Sequence, residues 1–429
     1  MSTVTMTRTE EQLERASRVL AGGASASGRR VFREHIVRTE GAYLYNTEGK
    51  RFIDYLLSYG PIVIGHSDPR VNQAVKRTAD TNDLHWVGAQ AQEIELAERI
   101  VDIVPSAEKV AFVTSGSDAL LHAVHVARAA TGRRYIVKFH GSFVGWQDAL
   151  AKGANFDVRP DHVPSENDPN SGGLSAGAVS EVLVVEWNDA DAIQALFRES
   201  GHEIAAVVCE PYVLSYGCVP PAPGFLELLR ETTRRNGALL VFDEVKTGFR
   251  LALGGYQAVA GVEPDLTALG KSMSNGYPLA ALAGRADLME MLGTSASLDG
   301  THYANPYGLA AGVATVDILR EGGMERLAYL GHLLREGLKR AVRDTGVKVT
   351  ITGHASAFMI NWLPVAPVTF RDAARADFVR AEAFRTAMLD AGILLPPFVI
   401  TDARLCLATS EDDIAETVAA AERAFRTVA

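Results

Sequence analysis

Apolar and polar positions along this chain fall into two rhythms. Leu239-Leu240-Val241-Phe242 is a short uninterrupted apolar run, which predicts a strand buried on both faces. Similar runs stand at 110–113, 135–137, 182–185 and 205–209. Helical periodicity fills several of the gaps, over 117–130, 190–199 and 224–236. The alternation predicts an α/β domain, a mostly parallel sheet covered by helices on both faces. Near the N-terminus, 9–20 reads as a short amphipathic helix. Residues 42–55 read as a hairpin turning at Asn46-Thr47-Glu48-Gly49. After about residue 320 the pattern changes to helices over 325–344, 371–391 and 411–426, with strands near 348–363. The expected division is an N-terminal segment of a small domain (1–60), a large domain (61–320) and a C-terminal small domain (321–429).

Composition narrows the function classes. At 429 residues there is room for more than one domain, and 47% hydrophobic with 22% charged content is ordinary for a globular protein. A formal charge of −10 speaks against nucleic acid or an anionic membrane as partner. No apolar run approaches the roughly 20 residues of a membrane helix. The N-terminus is polar and carries acids, unlike a signal or transit peptide. Cys209, Cys218 and Cys406 share no metal-ligand spacing and suggest a reducing compartment, so a cytoplasmic protein without a metal is expected. Residues 151–178 are rich in Gly, Pro, Ser, Asn and Asp. They are expected to form a mobile cover over the active site, with a solvated insertion as the plainer alternative.

The candidate chemistry lies where the apolar runs end. Asp243 follows the 239–242 run. The PDLTALGKSMSNG stretch is a second apolar run and releases Gly270-Lys271. An acid and a lysine at neighbouring strand ends can hold an aromatic cofactor between them. The lysine can form a Schiff base with an aldehyde, and the acid can pair with a pyridinium nitrogen. Singly, such an Asp is a turn residue and such a Lys is solvated. A lysine after glycine in an apolar run is an odd surface residue. Thr114-Ser115-Gly116-Ser117 joins a strand to a helix, where N–H groups and the helix dipole suit a phosphate; helix capping by Ser115 or Ser117 is the plainer reading of either alone. Phe139 and His140 follow another strand. Phe139 can stack on a flat ring or fill a core, and His140 alone reads as structural. Glu210 leaves a strand edge toward the crevice, or simply ends it before Pro211.

Together these segments resemble the class III aminotransferases, fold-type I pyridoxal phosphate enzymes, and within them the glutamate-1-semialdehyde 2,1-aminomutase branch. The resemblance rests on TSGSDALLHAVHVARAATGR, FHGSF, CEP, GALLVFDEVKTGFR, PDLTALGKSMSNGYPLAALAGR and GTHYANPYGLAAGVAT, in order, and runs from about Ala21 to Glu325 with a weaker continuation. It implies a large cofactor-binding domain and a smaller α+β domain built from the two chain ends. It implies pyridoxal 5'-phosphate on Lys271, with Asp243 at the ring nitrogen and Val245 and Phe139 on the two ring faces. His140 and Glu210 belong to the same site, and Ser115, Gly116 and Ser117 to the phosphate turn. It implies a homodimer in which Thr301 reaches the neighbouring subunit's phosphate. Arg29 matches a substrate-carboxylate arginine, with Arg30 as the alternative, and Ser58, Tyr59 and Trp146 are further candidate substrate contacts. Departures lie at the substrate end: Val213 stands where many class III enzymes have glutamine, which sides with the aminomutase branch, and Thr401 where that branch usually has glutamate, with Asp402 adjacent. The implied reaction is ping-pong amino transfer from a small-molecule amine to an oxo acceptor, with the 2,1-aminomutase as the alternative.

Overall fold

The computed structural model describes residues 7–154, 158–159, 162–168 and 171–428. A seven-stranded sheet forms its centre, in the order Lys109–Val113, Ala280–Gly284, Leu266–Leu269, Leu239–Asp243, Ile204–Cys209, Tyr135–Phe139, Val182–Val185. Ala280–Gly284 runs antiparallel to both its neighbours, and the remaining pairs are parallel. The period-two alternation of a strand divides the core in two. Val241 and Val208 pack with Ala119, Leu120 and Ala123 of the helix Gly116–Thr131. Leu240, Phe242 and Val207 pack on the opposite face with Phe225, Leu226 and Leu229 of the helix Phe225–Asn236.

The chain ends meet in a second sheet. Ile36–Glu40, Tyr43–Asn46 and Arg51–Asp54 form an antiparallel meander, which Ile393–Leu394 joins in parallel. A third sheet holds Thr350–Thr352, Ala357–Asn361 and Ala403–Arg404. The helix expected over 371–391 is two helices, Phe370–Ala373 and Phe378–Asp390. Asp377 ends the continuity by capping the second helix, its carboxylate accepting from Arg380 N at 3.0 Å. No helix among the described residues is long and apolar enough to cross a membrane, and none of their His, Cys, Asp and Glu side chains cluster into a metal site.

One buried cation organises a loop. Lys138 is fully buried, and its ammonium donates to Ser142 O (3.0 Å), Leu150 O (2.8 Å) and Lys152 O (2.8 Å). Burial pushes this lysine down to about 7, while the Glu210 charge opposes the shift. Three carbonyl acceptors make the protonated form the one that fits. Lys138→Met should therefore lower stability by about 3 kcal/mol, because three buried carbonyls lose their donor. Thermal melting checks this, and a midpoint equal to the parent's would contradict it.

Candidate active site

The parallel strands deliver their carboxyl ends to one edge of the sheet, where a cavity of about 390 Å³ opens. Register sets its floor. Asp243 pairs with Ala268 of the neighbouring strand, so Lys271 emerges three residues beyond that level. Asp243, Val245, Lys246 and Lys271 all line the cavity, with Thr114, Ser115, Gly116 and Ser117 on another wall. Lys271 has φ 45°, a left-handed conformation that a non-glycine residue adopts only when held there. The holding is visible: Ser272 Oγ donates to Gly60 O at 3.1 Å, and Asn275 Oδ1 accepts from Val63 N and Ile64 N at 3.0 Å each. Buried Arg250 ties the same region together, donating to Gly60 O, Ile62 O and Leu405 O.

The electrostatics suit a ring between an acid and an amine. Burial, and then the Glu210 charge, raise the Asp243 carboxyl above its usual range, against the pull of Val245 N–H and Lys271. Burial and the nearby Lys246 ammonium push Lys271 down to about 7. Asp243 Oδ1 accepts from Val245 N at 3.0 Å, and its second oxygen takes no hydrogen bond from a described residue. Glu244, next along, serves the fold instead. Its buried carboxylate accepts from Thr247 Oγ1, Tyr256 N and Gln257 N and so caps the following turn of helix.

The helix start fits a phosphate. Ser115 Oγ caps Asp118 N, and Asp118 in turn accepts from Ser115 N and Oγ. The N–H groups of Gly116 and Ser117 precede the first intrahelical bond and lie on the cavity wall. A Cβ at position 116 would come within 2.7 Å of Val245, so only glycine lets the helix start approach so closely. Anion donors, an apolar ring face, a buried acid and a lysine together match the chemistry of pyridoxal phosphate.

Several expected residues lie elsewhere. Phe139 is fully buried and packs edge-on against Trp187 and Phe225, 4.9 and 5.8 Å between ring centroids, because its strand position faces the helix layer. Phe143 lines the cavity in its place. His140 is buried away from the cavity, with Nδ1 2.5 Å from Glu186 Oε1 and Nε2 3.0 Å from Pro164 O. Glu210 is off the cavity lining but close behind it: its Oε2 accepts from Leu214 N and Ser215 N at 3.1 Å, its Oε1 is buried without a hydrogen-bond partner among the described residues, and its charge bears on Asp243. Thr301 is exposed and outside the cavity of its own chain, its carbonyl accepting from Trp86 Nε1 at 3.4 Å.

At the substrate end, Trp146 lines the cavity and is 69% exposed. Ser58 and Tyr59 lie in a turn with successive positive φ from Leu57 to Gly60, beside Lys271, but neither lines the cavity. The Tyr59 hydroxyl packs close to Gly28. Arg30 donates to Ala21 O and Ala24 O, while Arg29 is exposed. No described residue of 151–178 lines the cavity. Gly153 O accepts from Gly141 N at 2.7 Å, and Arg371 holds Glu166, so these points of the segment are tied to the body of the protein. Residues 155–157, 160, 161, 169 and 170 of the expected cover lie outside the described residues.

Known proteins are similar to this chain in sequence and fold. A glutamate-1-semialdehyde 2,1-aminomutase of Thermomicrobium roseum is 40% identical over 401 residues, covering 92% of this chain and 91% of the relative. An omega-transaminase from Sphaerobacter thermophilus superposes with TM-score 0.92 at 31% identity, covering 99% of this chain and 98% of its own. A transaminase with PLP bound superposes with TM-score 0.87 at 25% identity, covering 99% of each chain. The family model for class-III aminotransferases matches residues 24–424. With its fold-type I architecture and a cavity fitted to pyridoxal phosphate, this chain belongs to the class III aminotransferase family.

Proposed function

We propose that the protein moves an amino group from an amine donor to a ketone or aldehyde acceptor in two half-reactions, the first product leaving before the acceptor enters. The observation that carries this reading is the convergence of Lys271 and Asp243 on one cavity with the helix start at Gly116. Pyridoxal phosphate supplies, when bound, a carbonyl that captures amines and a ring that draws electrons from the adjacent carbon. Lys271 takes the proton from that substrate carbon and returns it to the carbon on the cofactor side. Its depressed affinity for protons suits a base working near neutral pH. Asp243 keeps the proton on the ring nitrogen. Gly116 and Ser117 hold the phosphate, Val245 packs on one ring face and Phe143 replaces Phe139 on the other. Trp146, on the cavity wall, is the candidate substrate contact that the geometry supports, and Arg29 is one by resemblance alone; Ser58 and Tyr59 lie beside Lys271 but off the cavity lining. The test is incubation with separate donor and acceptor panels, following release of the oxo product.

The relative at 40% identity favours a second reading, amino migration within one molecule. Thr401 in place of the branch's usual glutamate, and the fit to the omega-transaminase, support transfer instead. A 2-amino aldehyde or its isomer, given alone and converted without any acceptor, would establish the mutase.

The functional unit is proposed to be a homodimer with Thr301 serving the neighbouring cofactor, which accords with its exposure in a single chain. Mixing Lys271→Ala and Thr301→Ala subunits should restore turnover at limiting cofactor, because one of the two heterodimer sites is then intact. Activity of the mixture no higher than the mean of the two parents would contradict it.

A further inference from the structure

We propose that Lys246 is a specificity-determining residue whose ammonium receives a carboxylate of the amine or oxo substrate. Among the described residues, Lys246 and Lys271 are the two basic side chains lining the cavity. Lys271 is committed to the cofactor and its proton. Lys246 stands in the turn just after the strand that ends at Asp243, with its side chain only 14% exposed. An ammonium this far out of water needs partners for three N–H bonds.

The partners on hand are distant. Lys246 Nζ lies 3.4 Å from Ser215 Oγ and 3.9 Å from Asp402 Oδ1. Ser215 Oγ also accepts from Phe143 N at 3.0 Å. Asp402 is fully buried and pairs with Arg404, whose Nε donates to Oδ2 at 2.9 Å; its Oδ1 lies near Arg404 Nη2 but has no hydrogen-bond partner among the described residues, and Lys246 stays too far from it to donate. Buried Arg250 adds a further cation within reach of the Asp402–Arg404 pair. The charged groups bearing on Lys246 are Asp402, Asp243 and Lys271; beyond them Glu210 bears on Asp243, Arg404 on Lys271, and Arg250 on the Asp402–Arg404 pair. With the cofactor bound, Asp243 and Lys271 would both be engaged by it, which leaves Lys246 with Asp402 as its remaining charged neighbour, 3.9 Å away. A substrate carboxylate supplies the close acceptor that Lys246 lacks. An uncharged amine substrate would leave the ammonium short of partners, so the cavity discriminates in favour of acids.

This inference rests on the proposed amino transfer only for the word substrate, and its test does not require turnover. The protein loaded with pyridoxal phosphate is titrated with butanoate and with butanamide, which carry neither a free amine nor a ketone or aldehyde to react, and binding is read by calorimetry and by the cofactor's visible absorbance. In Lys246→Met the preference for the acid over the amide should fall about 10- to 100-fold, the range of a lost charge-assisted contact. Lys246→Arg should recover part of it. Lys246→Gln serves as the second neutral variant should the methionine variant fail to fold. An unchanged acid-to-amide ratio overturns the proposal. So does equal weakening of both ligands, which would make Lys246 a general support of the cavity wall.

Discussion

Lys271→Ala is expected to lower amino transfer by roughly four orders of magnitude or more, since it removes the covalent anchor and the base together. The loss should come without collapse of the fold. Lys271 lies in a turn held by Ser272, Asn275 and Arg250 rather than by its own side chain. The helix start at Gly116 and Ser117 remains to bind the phosphate, so the variant should still take up pyridoxal phosphate from solution. Borohydride treatment of the parent, followed by peptide mapping, should fix the cofactor on Lys271. A label on Lys246 or on buried Lys138 would contradict the assignment.

Asp243→Asn is expected to cost about three orders of magnitude in rate while leaving the structure in place. The amide oxygen can still accept from Val245 N, the bond that Asp243 Oδ1 makes at 3.0 Å. What disappears is the negative charge in a buried site. There the attraction for a protonated ring nitrogen is far stronger than in water. Without it the nitrogen gives up its proton and the ring withdraws electrons weakly. The absorbance of the loaded variant should shift as that proton is lost. Turnover near the parent's would refute the role.

The two residues with the largest expected effects are also the most legible in the sequence. Asp243 ends an uninterrupted apolar run and Lys271 follows a mainly apolar one, and buried parallel strands put such ends on one edge of the sheet. The ring partner is less legible. Phe139 and Phe143 stand four apart, and the chain between them turns through Gly141 at φ 75°, which breaks the strand's alternation. The aromatic that ends the strand therefore faces the core, and the one beyond the turn faces the cavity. The strand Ala280–Gly284 is hidden in the sequence, because AALAG carries no β-branched residue; its neighbours on both sides make it a strand. The 371–391 helix reads as continuous because Ala373-Ala374-Arg375-Ala376 suits a helix. The break comes from the Asp377 cap. Nothing in the sequence marks Lys246 as a cavity residue, because only the turn after Asp243 decides where it points.

Passage of an amino group between two separate molecules is read from a single half-reaction. Loaded protein is mixed with a donor amine and no acceptor, and both the cofactor's absorbance and the released oxo product are followed. The expected result is loss of the starting absorbance band, oxo product in proportion to subunits and no more, and return of the band when an acceptor is added. Repeated conversion of a single substrate to its isomer, with no oxo product released, would contradict it.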